Sequence, residues 1–203
     1  MVPQTLNCRL PLKKMLILAS ESPRRRELLS RLGVEFTVEP ACVDELEEGN
    51  DLSLLPEKNA LLKANAVAER FPEHFVLGAD TGVFCCGRML GKPGDDEKAK
   101  EMLAMLSGRT HQVISGTALV CRRRNISLAW SSVSQVTFKK LSRDEIARYI
   151  SAVYVLDKAG AYAIQEHPEL LGAVIEGELE NIIGLPLAKL SGVLSGYGLM
   201  TRQ

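Results

Sequence analysis

A long strand-like tract in the middle of the chain, residues 111–139, limits the possible architectures more than any other part of the sequence. It is interrupted once, by Arg122-Arg123-Arg124-Asn125, which is typical of a hairpin between two extended strands whose arginines face solvent. Strands joined by a hairpin are antiparallel, whereas strands joined by a helical crossover are parallel. A sheet that contains this hairpin together with strand–helix–strand units must therefore be mixed.

Strand and helix signals alternate on both sides of the hairpin. Apolar runs predict strands at residues 15–19 and 35–39, and a further strand from Phe75 through Gly78 that continues past Asp80 to Cys86, with Asp80 at a strand end. Helix-starting residues and apolar stripes predict five helices, which begin at Ser22, around residue 60, at Asp95, at Ser142 and at Pro186. Extended segments are predicted at residues 170–175 and 180–183, on either side of Gly177. These signals predict an α/β protein with helices flanking a mixed sheet.

Composition argues for one globular domain and against several classes of partner. A chain of 203 residues with 46% hydrophobic residues can bury a sizeable core. Lys plus Arg and Asp plus Glu both total 25, so no overall charge favours nucleic acid or an anionic membrane. The apolar runs are far shorter than the roughly 20 residues of a membrane-spanning helix. Five cysteines without CxxC spacing are typical of a reducing, cytoplasmic environment.

The residues before Met15 are predicted to be an N-terminal extension outside the folded domain. Residues 1–14 carry two prolines and a Lys13-Lys14 pair and lack the apolar core of a signal peptide. A disordered arm is one interpretation, and Met15 is an equally reasonable start of the chain. The domain is therefore predicted to span residues 15–203.

A phosphate-binding segment is predicted where the first strand meets the first helix. Ser20-Glu21-Ser22-Pro23-Arg24-Arg25 places hydroxyl groups and guanidinium forks at a helix N-terminus, where free backbone N–H groups and the helix dipole favour anions. The alternative is that Ser22 only caps the helix while the arginines solvate its outer face. The segment alone does not decide between the two.

Carboxylates from two separate segments could hold a hard cation. Asp44 and Glu45 begin an acidic stretch, and Asp80 follows an apolar strand in Gly78-Ala79-Asp80-Thr81. Mg²⁺ commonly takes only one or two protein carboxylates and completes its coordination with substrate phosphates and water. A solvated loop is the alternative for the acidic stretch, and Asp80 is the stronger functional candidate.

Several other features carry no predicted function. Gly91-Lys92-Pro93 is not a Walker motif, because Ser or Thr does not follow the lysine and Cys86 occupies the position of the first glycine. Lys92 could still reach a phosphate from a turn, but on the motif alone a surface lysine in a Gly-Pro turn is the favoured alternative. The three histidines lack metal-ligand spacing, the Cys85-Cys86 pair is predicted to be structural and buried, and Trp130 belongs to no base-stacking series.

Taken together, the motifs resemble those of the Maf family of nucleotide pyrophosphatases over nearly the whole chain after residue 14. The matching motifs are Leu18-Ala19-Ser20-Glu21-Ser22-Pro23-Arg24-Arg25, Asp44-Glu45, Lys63-Ala64, Gly78-Ala79-Asp80-Thr81, Gly91-Lys92-Pro93, Leu106-Ser107-Gly108-Arg109-Thr110-His111, Asp157-Lys158-Ala159-Gly160-Ala161-Tyr162-Ala163-Ile164-Gln165 and Gly184-Leu185-Pro186-Leu187. The resemblance implies an elongated mixed sheet of the inosine-triphosphatase-like fold, with two lobes around a cleft, and a homodimer.

The resemblance also implies roles for individual residues. It implies that Asp80 is the proton acceptor, that Ser20, Arg25, Lys63 and Lys92 handle phosphate, and that Glu45 and Asp80 bind a divalent cation, Mg²⁺ or Mn²⁺. Ser22 belongs to the same substrate-binding segment. Asp44 is the alternative to Glu45, since the alignment is uncertain by one residue.

The form of the motif at residues 157–165 resembles the branch that hydrolyses dTTP and UTP, and modified pyrimidine nucleotides belong to the same expectation. Arg24, Thr81 and Gln165 match the specificity positions of that branch. One departure concerns the residue after Gln165, where the branch has glycine and this chain has Glu166. The alternatives are a pyrophosphatase for 7-methyl-GTP and a non-catalytic, nucleotide-binding regulator of cell division.

Overall fold

The computed structural model describes residues 15–200, so the predicted N-terminal extension lies outside the described residues. Within these residues the elements are seven strands, seven α-helices and three 3-10 turns. The strands are β1 (Leu16–Leu18), β2 (Phe36–Val38), β3 (Phe75–Cys85), β4 (Arg88–Leu90), β5 (Thr110–Cys121), β6 (Ile126–Thr137) and β7 (Val174–Glu176). The helices are α1 (Pro23–Arg31), α2 (Leu55–Arg70), α3 (Asp96–Leu106), α4 (Arg143–Ala152), α5 (Pro168–Leu171), α6 (Leu179–Ile183) and α7 (Leu187–Gly196).

The strands form one mixed sheet in the order β2-β1-β3-β5-β6-β7, with β4 also paired to β3. β1 lies parallel to β2 and β3. The pairs β3–β4, β3–β5, β5–β6 and β6–β7 are antiparallel. Arg122–Arg124 form the turn between β5 and β6, and these arginines are exposed. The predicted hairpin and the mixed α/β sheet with flanking helices are therefore confirmed.

The long strand β3 has two partners along one edge. β1 pairs with residues 75–77 and β4 pairs with residues 83–85, while β5 pairs along the opposite edge over residues 76–84. Asp80 therefore lies in the middle of a continuous strand, between the β1 and β4 pairings. The prediction that Asp80 ends a strand was wrong, because Thr81 and Gly82 continue the ladder to β5.

Buried apolar residues form separate clusters in the two lobes. One cluster joins β4, α3 and α4 with residues 161–164, and includes Leu103, Phe138 and Tyr149. The other joins β1, α1 and α7 and includes Leu18, Leu29 and Leu190. Helix α2 packs on the sheet through a third cluster around Ala60 and Ala64. Two lobes therefore share one sheet, with a cleft between them.

The prediction of extended segments at residues 170–175 and 180–183, after α4, was largely wrong. Residues 180–183 lie in helix α6, and residues 168–171 lie in helix α5, so only Val174–Glu176 within this region forms a strand. The helix at α6 lets the Asn181 amide donate to the carbonyl of Val113 at 3.0 Å and to Ser134 Oγ at 2.9 Å. These buried tertiary hydrogen bonds outweigh the strand preference of the two isoleucines.

Among residues 15–200, no helix combines the length and the apolar character needed to cross a membrane.

Candidate functional site

A cleft of about 1100 Å³ lies between the two lobes. One wall is the loop and helix start at residues 19–25, and the other contains residues 89–92 and 157–165. The structure brings all the sequence-predicted site residues to this cleft: Ser20, Ser22, Arg24, Arg25, Glu45, Lys63, Asp80, Thr81, Lys92 and Gln165. Their chemical roles remain predictions.

The floor of the cleft holds one ammonium group between two carboxylates. Lys63 Nζ lies 2.7 Å from Asp80 Oδ1 and 2.7 Å from Glu45 Oε1. The side chains of Lys63 and Asp80 are largely buried, at 11% and 14% exposure, whereas that of Glu45 is 48% exposed. Because the two acids outnumber the lysine, this cluster carries one excess negative charge and can attract a cation.

Asn59 is a site residue that the sequence analysis did not single out. It is buried, and its amide nitrogen donates to Asp80 Oδ2 at 3.3 Å and to the carbonyl of Leu46 at 3.1 Å. Its amide oxygen accepts the N–H of Leu46 at 2.8 Å. Asn59 therefore ties the acidic loop that carries Glu45 to the strand that carries Asp80. The available signal was its position four residues before Lys63, which puts both residues on one face of α2.

Close packing of α2 on the sheet makes these contacts possible. A side chain at Gly78 would place its Cβ 2.1 Å from the carbonyl oxygen of Ala60, and one at Gly116 would place its Cβ 2.2 Å from the backbone of Pro56. Only glycine lets the helix backbone approach β3 and β5 so closely. Asn59 and Lys63 consequently reach Asp80 directly.

The charges around Glu45 favour its ionised form. Partial burial would raise the pKa of Glu45, but the hydrogen bond and charge of Lys63, followed by the charges of Lys92 and Arg25, lower it below its ordinary value. Glu45 is therefore a carboxylate at neutral pH. Its oxygen atoms, together with those of Asp80, are the ligand type that Mg²⁺ and Mn²⁺ take.

Arg25 links both sides of the cleft wall through three donors. Its Nε donates to the carbonyl of Gly184 at 3.0 Å, and its terminal nitrogens donate to Ser20 Oγ at 3.2 Å and to Thr81 Oγ1 at 3.3 Å. Burial lowers the pKa of Arg25, against the raising effect of the Asp80 charge, yet a guanidinium starts from so high a value that it stays charged. Arg25 thus places a fixed positive charge beside Ser20.

Ser22 caps helix α1, since its Oγ accepts the N–H of Arg25 at 3.4 Å. The capping alternative therefore holds for Ser22, but the solvation alternative fails for Arg25. Arg24 lies 3.6 Å from the Asp157 carboxylate of the other lobe. The segment at residues 20–25 therefore faces the cleft with both arginines.

A buried chain of hydroxyl groups supports Thr81. Thr81 Oγ1 lies 2.8 Å from Ser115 Oγ, and Ser115 donates to the backbone carbonyl of Asn181 at 2.8 Å. Thr81 thereby connects Arg25 to helix α6. These contacts hold the Thr81 side chain in place at the wall of the cleft.

The second lobe supplies Gln165 and Lys92, which are both exposed residues of the cleft wall. Next to Gln165, the Glu166 carboxylate lies 3.7 Å from the buried Lys158, which also contacts Asp157 at 3.0 Å. Glu166, which stands where the branch that hydrolyses dTTP and UTP has glycine, therefore has a cationic partner within its own lobe. Lys158 is a further residue that organises this wall.

Comparison with known proteins gives consistent results. The family model described as Maf-like protein matches residues 15–197. A protein of Moorella thermoacetica named dTTP/UTP pyrophosphatase is 47% identical over 184 residues, which cover 90% of this chain and 95% of the relative. One of Akkermansia muciniphila with the same name is 43% identical over 186 residues, which cover 90% of this chain and 96% of the relative.

A solved structure of the Staphylococcus aureus Ham1 protein matches with a TM-score of 0.54 and 17% identity, covering 91% of this chain and all of that protein. At this identity the likeness concerns the fold alone.

Proposed function

Because the chain belongs to the family of Maf-like proteins, we propose that it is a nucleoside triphosphate pyrophosphatase that hydrolyses dTTP and UTP to the monophosphate and pyrophosphate. Relatives of that name cover nine-tenths of the chain. The observation that carries the proposal is the contact of Asp80 with Lys63 at 2.7 Å on the floor of a cleft lined by further cationic residues.

Asp80 is suited to accept a proton from water. Lys63 and Asn59 fix the orientation of its carboxylate, and each carboxylate oxygen keeps a lone pair for another donor. A water molecule activated by Asp80 would attack the α-phosphorus and release pyrophosphate, with no covalent intermediate on the protein.

The cationic side chains would stabilise the charge on the phosphoryl oxygens. Arg25 and Ser20 lie on one side of the cleft, Lys92 on the other and Lys63 on the floor. Positive groups that are already fixed in place stabilise developing charge without reorganisation at the moment of reaction. We therefore assign Ser20, Ser22, Arg25, Lys63 and Lys92 to the triphosphate.

The donor set also fits a divalent cation, Mg²⁺ or Mn²⁺. Glu45 and Asp80 converge on the same ammonium group and carry an excess negative charge. No group of three or more His, Cys, Asp or Glu residues in the described part of the chain could hold a metal ion alone, so substrate phosphates and water would supply the remaining ligands. When bound, the cation would neutralise part of the triphosphate charge.

Selectivity for the base is assigned to Gln165, with Arg24 and Thr81 shaping the same pocket. The Gln165 amide offers both a donor and an acceptor to the edge of a pyrimidine. The ion pair of Arg24 with Asp157 fixes one side of the pocket relative to the other lobe.

A substrate panel tests the proposal. The purified full chain is incubated with dTTP, UTP, 7-methyl-GTP, ATP or ITP in Mg²⁺ or Mn²⁺, and pyrophosphate and orthophosphate are measured separately, with Asp80→Asn as the control. Pyrophosphate release that is fastest with dTTP and UTP is expected. Preference for 7-methyl-GTP would assign the chain to the other branch, and nucleotide binding without pyrophosphate release would favour the non-catalytic regulator.

The assembly and compartment are part of the same proposal. We place the enzyme in the cytoplasm, where its nucleotide substrates are, and expect a homodimer. Light scattering after size-exclusion chromatography tests the dimer, and a mass corresponding to one chain would contradict it.

A further inference from the structure

The tip of the β3–β4 hairpin carries two adjacent thiols in unlike environments. Cys85 ends β3 and is buried, whereas Cys86 is exposed in the two-residue turn that leads to β4. The prediction that both thiols are buried was therefore wrong for Cys86. The two sulfur atoms lie 3.6 Å apart.

The turn holds Cys86 in an unusual backbone conformation. Cys86 and Gly87 have φ angles of 53° and 74°, the pattern of a type I′ turn, which favours Asn, Asp or Gly. A cysteine in this left-handed region carries a conformational cost. The turn leaves the Cys86 side chain exposed to solvent while its sulfur stays in contact with that of Cys85.

A cation accompanies the exposed thiol. Arg109, at the start of β5, places a terminal nitrogen 3.1 Å from Cys86 Sγ. The thiol of Cys85 and then the guanidinium groups of Arg109 and Arg88 lower the pKa of Cys86, whereas burial raises the pKa of Cys85. An exposed cysteine beside a guanidinium and next to a second thiol is the arrangement of oxidant-sensitive cysteines.

Small molecules can reach the pair. Both cysteines border a hollow of about 640 Å³ that is distinct from the nucleotide cleft. Asp51 and His111 are the other titratable residues that line this hollow. The hollow admits an oxidant without passing the nucleotide cleft.

We propose that Cys86 is a site of reversible oxidation by peroxides, with Cys85 as the resolving thiol. The Cys86 thiolate attacks one peroxide oxygen, the O–O bond breaks, and hydroxide leaves as sulfenic acid forms. The sulfur of Cys85 then attacks the sulfenic sulfur, loses its proton and displaces water, which leaves a disulfide. In balance, two thiols and one hydrogen peroxide give one disulfide and two waters.

The product should be easily reduced. Adjacent Cα atoms across a trans peptide are about 3.8 Å apart, which is closer than most disulfides span. Deviation from the usual geometry makes a disulfide more reducible. Reversal by a cellular dithiol is therefore expected.

The first experiment compares cysteines within the folded full chain. Alkylation by iodoacetamide at pH 7 is followed at each cysteine by peptide mass spectrometry, with the exposed Cys42 as the internal reference. A larger thiolate fraction is partly offset by lower nucleophilicity, so Cys86 should react faster than Cys42, by about twofold or more. Arg109→Gln should remove this advantage and move the pH profile of Cys86 upwards, whereas Arg148→Gln, at an exposed arginine on α4, should not.

The second experiment follows hydrogen peroxide treatment without nucleotide. The wild-type chain should lose the mass of two hydrogen atoms and regain it with dithiothreitol, while Cys85→Ser should accumulate a sulfenic acid on Cys86 that dimedone traps. Equal reactivity of Cys86 and Cys42, or an unchanged rate in folded Arg109→Gln, would overturn the proposal. So would dimedone labelling of Cys42 in preference to Cys86.

Discussion

Replacing Lys63 with methionine should reveal how strongly the site depends on one ammonium group. Methionine keeps the unbranched chain of lysine but removes the charge that lies 2.7 Å from both Asp80 and Glu45. The change leaves two carboxylates facing each other at the cleft floor, with only the Asn59 amide hydrogen-bonded to Asp80. Both stability and activity should fall.

The size of the loss follows from burial. Removing one partner of a buried ion pair typically costs about 3–5 kcal/mol, because the remaining charge is left uncompensated. The Asp80 side chain is 14% exposed, but Glu45 is 48% exposed and can be solvated. We therefore expect the lower end, a decrease of about 3 kcal/mol in the free energy of unfolding.

Asp80→Asn should lower the free energy of unfolding much less than Lys63→Met does, because Lys63 keeps its contact with Glu45. One hydrogen bond to a charged group is lost, at about 1.5–2 kcal/mol, the lower part of the usual range. Its effect on turnover should be larger, a decrease of about 10²- to 10⁴-fold on loss of the general base. Near-normal pyrophosphate release by the folded variant would remove Asp80 from the mechanism.

A double-mutant cycle separates the buried pair from other effects. In the Asp80→Asn background, Lys63→Met should cost about 1–3 kcal/mol less than it does alone, because no carboxylate is left at that position. Urea unfolding at pH 7, followed by far-UV circular dichroism, measures each step. Lys100→Met is the matched control, since Lys100 lies 2.6 Å from Glu97 in an exposed pair on α3 and should change stability little. Equal costs of Lys63→Met in both backgrounds would refute the reasoning.

Three further outcomes are expected. Lys92→Ala should reduce kcat/KM for every triphosphate by a similar factor, because a phosphate contact does not distinguish bases, and a loss confined to one base in steady-state assays would contradict this. Gln165→Glu should reduce turnover of dTTP and UTP more than that of purine nucleotides, since it replaces a donor with an acceptor, and Glu166→Gly assayed in parallel separates the loop charge from the amide. Burial lowers the pKa of His111 to about 4, so between about pH 6.5 and 4 the unfolded chain binds a proton that the folded chain does not. Stability should therefore fall as the pH falls through this window, by about 3 kcal/mol in all, and unfolding curves of His111→Gln should show a smaller decrease than those of the wild type.

Local patterns predicted the elements whose own residues determine their structure. Ser142 and Glu145 form the capping box at the start of α4 through two backbone contacts, and Arg122–Arg124 form the expected turn. Helix α6 was missed because its stability comes from the buried hydrogen bonds of Asn181 to β5 and β6. No local pattern contains those partners.

The same distinction applies to the site. Charged residues in recognisable motifs, such as Lys63 and Asp80, could be selected from the sequence, since their chemistry is evident from the residue type. Asn59 was missed, because an asparagine inside a helix has no chemical signature of its own and its spacing from Lys63 gains meaning only from its partners in the fold, Leu46 and Asp80. Lys158 was not selected as a site residue for the same reason, since its role depends on its contacts with Asp157 and Glu166.

The mid-strand position of Asp80 explains how one ligand could contact both faces of the sheet. Successive residues of a strand point to opposite faces, so Asp80 meets Lys63 of α2 on one face while Thr81 meets Arg25 on the other. A complete sheet would separate these two environments. Here β1 pairs with residues 75–77 and β4 with residues 83–85 of β3, so the edge at residues 78–82 lies between the two pairings and opens to the cleft. A triphosphate lying across that edge could reach the Asp80 carboxylate on one face and the Arg25 guanidinium on the other. If Asp80 ended the strand, as the sequence predicted, no such open edge between two strand pairings would be needed to expose both groups.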